Sequence, residues 1–224
     1  MRRLTGWVEK WVPRYAVLPL IAMFLFNVVV YEGSKLIMAG APHYDLSLPL
    51  DHRLPYVPSF YLIYFLAFVS WAVGFALIFR ENPEHCGKVM MGELIAKLLC
   101  LVFYLVLPTS MVRPEPEGNG VFALIARITY FFDTPDTLFP SVHCLESWLC
   151  WRGMFGCKSL GRGVKGGFLV IALLVFLSTL LVKQHVLVDI PSAMLVGEIG
   201  LLLSSRLRLG ERYAAWCRRR GVIT

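Results

Sequence analysis

Two of the chain's five histidines stand beside residues that change what an imidazole can do. In KQHVLVD, Asp189 follows His185 at a spacing of four, which on a helix puts both on one face. A carboxylate that accepts one imidazole N–H fixes which ring nitrogen stays free, and so makes the histidine a nucleophile. The same spacing also suits a helix-end ion pair with no chemistry. Pro191 disfavours helix at Ile190, so the pair is expected in a bent first turn. In PSVH, Pro140 ends extended structure and Ser141 has the side chain of a helix cap. The first amides of the next helix, around Val142 and His143, lack partners and can bind an anion. Taken alone, this stretch also reads as a capped helix and nothing more. Arg113, in VRPEP, offers a planar fork of donors that matches phosphate oxygens. Two histidines, a helix N-terminus and an arginine on one face of the protein would form an oxyanion-binding pocket.

These residues need elements that bring them together. Of the 224 residues 57% are hydrophobic and only 17% are charged, too little polar surface for a soluble domain of this length. Six apolar segments are expected to cross a membrane: residues 15–30, 58–79, 89–111, 143–155, 167–182 and 189–205. The fourth is short, and its Glu146 and Trp148 fit a helix that faces protein. The first follows Arg2 and Arg3 as a signal peptide would, but no small-residue cleavage site comes after it, so it is expected to be retained. Six helices with the N-terminus inside put 16 of the 22 basic residues on the cytoplasmic side and five outside, as the positive-inside rule requires. The net charge of +7 is therefore a topology signal rather than a nucleic-acid footprint, because the basic residues are split among four segments. CRRRG near the C-terminus also suits anionic lipid head groups.

On the outer side the two long loops and both candidate histidines collect. Within the second loop, VFALIARITYFF has helical apolar spacing at Val121, Leu124, Ile125, Ile128 and Phe132, and is expected to lie along the interface with Arg127 toward head groups. His43, His52 and His85 read as solvated loop histidines. The six cysteines form no disulfide framework, since Cys144 alone falls near the outer face.

From Val106 to Asp189 the chain resembles the type 2 phosphatidic acid phosphatases. That family's pattern is Lys-x6-Arg-Pro, then Pro-Ser-Gly-His, then Ser-Arg-x5-His-x3-Asp. Here the corresponding stretches are VLPTSMVRP, PSVH and STLLVKQHVLVD, matching at Arg113, Pro114, Pro140, Ser141, His143, Ser178, His185 and Asp189. The family lysine is Val106, the glycine is Val142 and the second arginine is Thr179.

The resemblance implies an all-α, six-helix transmembrane bundle in one domain over residues 1–224, with both termini cytoplasmic. It implies that His185 attacks phosphorus to form a phosphohistidine, that Asp189 orients His185, and that His143 protonates the leaving oxygen and then activates water. Arg113, Ser141, the amides near Val142, and Lys183 would hold the phosphate oxygens. Lys183 stands in for the missing cation because it lies four residues after Thr179, on the same face if the helix continues. Lys97 is a poorer substitute, with Glu93 at i−4 to neutralise it. Glu146 either orients His143 or faces another helix. No metal and no cofactor are expected. The expected partners are the bilayer and a lipid phosphate or diphosphate, with no nucleic acid; the location is the plasma (inner) membrane with the site on its extracytoplasmic face. Two alternatives accompany this reading. One is a phosphoryl-head-group transferase of the inositol phosphorylceramide and sphingomyelin synthase type, which the FPSVH and KQH…D stretches also resemble. The other is a catalytically silent lipid-binding or transport protein.

Overall fold

The computed structural model describes residues 12–223. Arg2, Arg3 and Lys10 of the basic N-terminal segment lie outside them. Eight α-helices are described: α1 (Arg14–Met38), α2 (Tyr61–Phe79), α3 (Pro83–Val106), α4 (Val121–Phe132), α5 (Val142–Gly153), α6 (Arg162–Leu181), α7 (Asp189–Arg206) and α8 (Leu209–Arg219). No strand occurs among the described residues.

Four of these, α1, α2 (with the turn from Pro58), α3 and α6, are long and apolar enough to cross a membrane. The helices α7 and α8 pass the same test as a pair bent by 58°, so the count is four, or five with the bent pair as one span. Of the six expected spans, the fourth corresponds to α5, which does not pass by length. Its 12 residues make a helix roughly 18 Å long, well short of a hydrocarbon core about 30 Å thick. The exterior of the bundle carries Phe24, Val29, Leu36, Leu62, Val69 and Leu195 exposed, which is the surface of a membrane protein.

Small residues let the spans approach closely. A Cβ on Gly200 of α7 would sit 2.2 Å from the carbonyl oxygen of Gly92 on α3, so only glycine permits this crossing. One turn further, Ser204 Oγ donates to the Lys88 carbonyl at 2.7 Å. Against the other side of the core, Trp71 Nε1 of α2 donates to Ser147 Oγ of α5 at 2.9 Å. The short helix α5 is thereby enclosed by α2, α3, α6 and α7.

The chain direction gathers three connections at one end of the bundle: residues 39–60, residues 107–141 around α4, and residues 182–188. The basic, short connections and α8 fall at the opposite end, where Tyr213 Oη donates to the Tyr15 carbonyl. The helix α4 forms where its apolar spacing predicts. Its small residues Ala123, Ala126 and Thr129 are buried against the protein, while Val121, Leu124, Ile128 and Phe132 face outward. Arg127 is exposed as expected, and its Nη2 donates to the carbonyl oxygens of Pro116 (3.1 Å) and Gly118, which ties down the preceding loop.

Candidate active site

His143 and His185, from separate elements, meet with ring centroids 6.0 Å apart. His143 is the second residue of α5. Ser141 caps that helix as its residue type predicts, its Oγ accepting from the Cys144 amide at 3.2 Å. Tyr104 of α3 fixes the approach to the cap by donating to the Pro140 carbonyl at 2.8 Å. Val142 and His143 are left as the first helical residues, whose amides have no acceptor within the helix. The His143 ring is stacked on Tyr64 at 4.2 Å and set against Phe68 and Trp71 at 5.5 and 5.3 Å. Its Nε2 is buried without a hydrogen-bond partner among the described residues.

His185 lies outside regular helix, in the turn between α6 and α7. Its Nδ1 is 3.0 Å from Asp189 Oδ2, and the same oxygen accepts the Val186 amide at 3.0 Å. Asp189 begins α7, so the pair forms across a turn and a helix start; Ile190, where Pro191 was expected to disfavour helix, is instead the second residue of α7, because proline is tolerated in a helix's first turn. With Nδ1 committed to a fully buried carboxylate, Nε2 is the nitrogen left for chemistry.

Both rings line one cavity of about 270 Å³. Its walls come from α1 (Asn27, Tyr31), α2 (Tyr64, Phe65, Phe68, Trp71), α3 (Tyr104) and α4 (Ile128, Thr129, Phe132), with Asp133 just beyond α4. Apolar and aromatic groups dominate, as in pockets that hold a lipid or a small organic molecule.

Arg113 sits behind this wall. Its Nη1 donates to the Asp133 carbonyl, its guanidinium carbon lies 5.2 Å from the centre of the Tyr130 ring, and its Nε and Nη2 are buried without acceptors among the described residues. Asp133 is the hub of this region. Its carboxylate accepts from the hydroxyl of Tyr31, from the Tyr64 hydroxyl at 3.3 Å and from Lys35 at 3.4 Å. Burial acts most strongly on its carboxyl and raises it. The Arg113 charge, the Tyr31 hydroxyl and the Lys35 ammonium outweigh that and hold it below the ordinary aspartate value.

Lys183 is placed differently from the expectation. The helix α6 ends at Leu181 and Lys183 has a left-handed backbone, φ 56°, so it does not share a helical face with Thr179. Its ammonium donates to the carbonyl oxygens of Asp51 and Leu54 at 2.8 and 2.7 Å, in the loop between α1 and α2, and it is absent from the cavity lining. Lys183 therefore clasps the turn between α6 and α7 to the loop between α1 and α2. Asp51 completes the clasp, its Oδ1 accepting from the Leu187 amide and its Oδ2 from the Leu48 amide, each at 2.8 Å. Thr179 Oγ1 is spent on the Phe176 carbonyl, and Val106 faces outward at 76% exposure. Neither Thr179 nor Val106 lines the cavity that holds the histidines. Lys97 is committed elsewhere, to Glu93 and Glu146, which also answers where Glu146 faces.

Asp51, Asp133, Tyr31, Tyr64 and Lys35 carry no sequence signal. Each acts through a contact between elements distant along the chain, and none lies in a motif.

No protein-family model matches this chain, and no curated protein or solved structure shows significant similarity to it.

Proposed function

We propose that the chain is a membrane lipid phosphatase of the type 2 phosphatidic acid phosphatase kind. The observation that carries this reading is the pairing of His143 and His185 across a shared cavity wall, with Asp189 bound to the far nitrogen of His185. His185 Nε2 attacks phosphorus and the bond from phosphorus to the lipid oxygen breaks. His143 gives that oxygen its proton. Water then attacks the phosphohistidine, His143 takes a proton from it, and phosphate leaves with His185 restored. The α5 N-terminus has amides with no acceptor within the helix, which is what developing negative charge on phosphate oxygens needs; Arg113, set behind the cavity wall with Nε and Nη2 lacking acceptors among the described residues, adds positive charge at longer range. The apolar cavity suits a substrate whose tail stays in the bilayer. In this reading α5 and the α7–α8 pair complete a six-helix arrangement, both termini are cytoplasmic, and the site opens on the extracytoplasmic face of the plasma (inner) membrane.

The aromatic lining favours one second reading, since a wall of Phe65, Phe68, Trp71 and Phe132 discriminates against water and admits a lipid alcohol as acceptor. The chain would then transfer a phosphoryl head group with the same three residues. Detergent-purified protein assayed on lipid monophosphates, lipid diphosphates and phosphodiesters, with and without a lipid alcohol, separates the two. Release of free phosphate supports the phosphatase; a new phospholipid with no free phosphate supports the transferase. No product from any substrate refutes both.

A further inference from the structure

Away from the histidines, a second polar cluster is buried in the bundle. Glu93 and Lys97 lie one turn apart on α3, and Glu146 comes from α5; their exposures are 0, 2 and 5%. Lys97 Nζ contacts Glu93 Oε1 and reaches Glu146 Oε1 at 2.6 Å and the Met23 carbonyl of α1 at 3.4 Å. Both carboxylates therefore pair with the same ammonium. Glu93 Oε2 and Glu146 Oε2 remain buried with no partner among the described residues.

The charges do not balance. Two carboxylates face one ammonium, and no second cation pairs with either among the described residues. The other titratable groups facing the cluster are thiols, Cys100 on α3 and Cys150 on α5. Glu198 on α7 is already matched by Arg152. A net negative charge inside a bundle that crosses a membrane is costly, and two carboxylates that share a site do not both ionise. Because both carboxylates bind one ammonium, a proton held by either carboxyl group removes the excess charge.

We propose that Glu93, Lys97 and Glu146 form a proton-binding site that holds one proton at neutral pH, and that the resulting neutral cluster locks α5 to α3 and α1. Glu146 lies three residues beyond His143 on α5, so the lock also sets the position of that helix's first turn. The inference stands independently of the catalytic reading.

Infrared difference spectroscopy on the full-length protein in detergent reads the proton directly. Wild-type protein at neutral pH is expected to show the carbonyl stretch of a protonated carboxylic acid, shifted by isotope-labelled glutamate. The band should vanish in both Glu93→Gln and Glu146→Gln, because the carboxyl that remains then pairs with Lys97 as a carboxylate. Thermal midpoints give the second readout. Each single glutamine variant should stay within about 3 °C of wild type, and the double variant, which strands the ammonium, should fall by about 10 °C or more. Adding Lys97→Met to the double variant should recover most of that loss. A wild-type spectrum without the glutamic acid band overturns the proposal, as does a midpoint that rises and falls with sodium in its place. Single variants as unstable as the double variant also overturn it.

Discussion

Replacing Asp51 by alanine should impair turnover although Asp51 touches neither histidine. Its carboxylate is 7% exposed and accepts two backbone amides, one of them that of Leu187, two residues after His185. A hydrogen bond to a charged group contributes about 1.5–3 kcal/mol. The Leu48 amide lies in a loop and regains water when the carboxylate goes. The Leu187 amide, packed between the loop and the α7 start, regains less. The turn carrying His185 therefore loses about 2 kcal/mol of local stability, roughly a 30-fold shift toward open conformations. Because nucleophile placement within an ångström matters to rate, kcat is expected to fall about 10- to 100-fold with KM changed less than about threefold. Phosphate release from a short-chain lipid phosphate in detergent gives kcat and KM, and hydrogen exchange at residues 182–188 gives the loosening of the turn. Loss of amide protection there with kcat unchanged would refute the clasp as a positioning device.

Three further outcomes follow from the same geometry. Lys183→Met removes the other half of the clasp and should lower kcat about 10-fold; Thr179→Arg in that background should restore nothing, because Thr179 is fully buried and faces the Phe176 carbonyl, and kinetic rescue would return Lys183 to the role of phosphate ligand. His143→Ala should slow release of a lipid alkoxide about 100-fold or more but release of nitrophenol less than about 10-fold, since only the poor leaving group needs a proton; equal losses would remove His143 as the acid. A cysteine at Asn119, which is exposed in the second long loop, should be labelled by an impermeant thiol reagent on intact cells, and labelling only after lysis would invert the orientation.

Much of the helical layout was legible because burial in a bilayer demands long apolar runs, and such runs show in composition alone. The start of α5 was legible as well, since Pro140 and Ser141 act locally on the chain that follows them. His185 and Asp189 were legible as a pair from spacing, although Pro191 misled about Ile190, which is helical because proline fits the first turn of α7. Length was not legible at α5, because a helix surrounded by other helices can be apolar while only 12 residues long. Periodicity misled at Lys183, because nothing in STLLVKQH announces that α6 stops at Leu181 and that the backbone turns left-handed two residues on. The Asp133 hub and the Asp51 clasp were illegible for a different reason. Each joins segments far apart in the chain, and single-residue chemistry in a proline-rich loop looks the same whether or not a partner waits across the bundle.

The central claim is that His185 becomes covalently phosphorylated. Detergent-purified protein mixed briefly with a radiophosphorus-labelled lipid phosphate, quenched in alkali and digested, reads that claim directly. Base-stable, acid-labile label is expected on the peptide containing His185, absent from His185→Ala and formed more slowly in His143→Ala, which lacks the proton donor for the lipid alkoxide. Label on another residue, or turnover of the same substrate by His185→Ala at the wild-type rate, would contradict it.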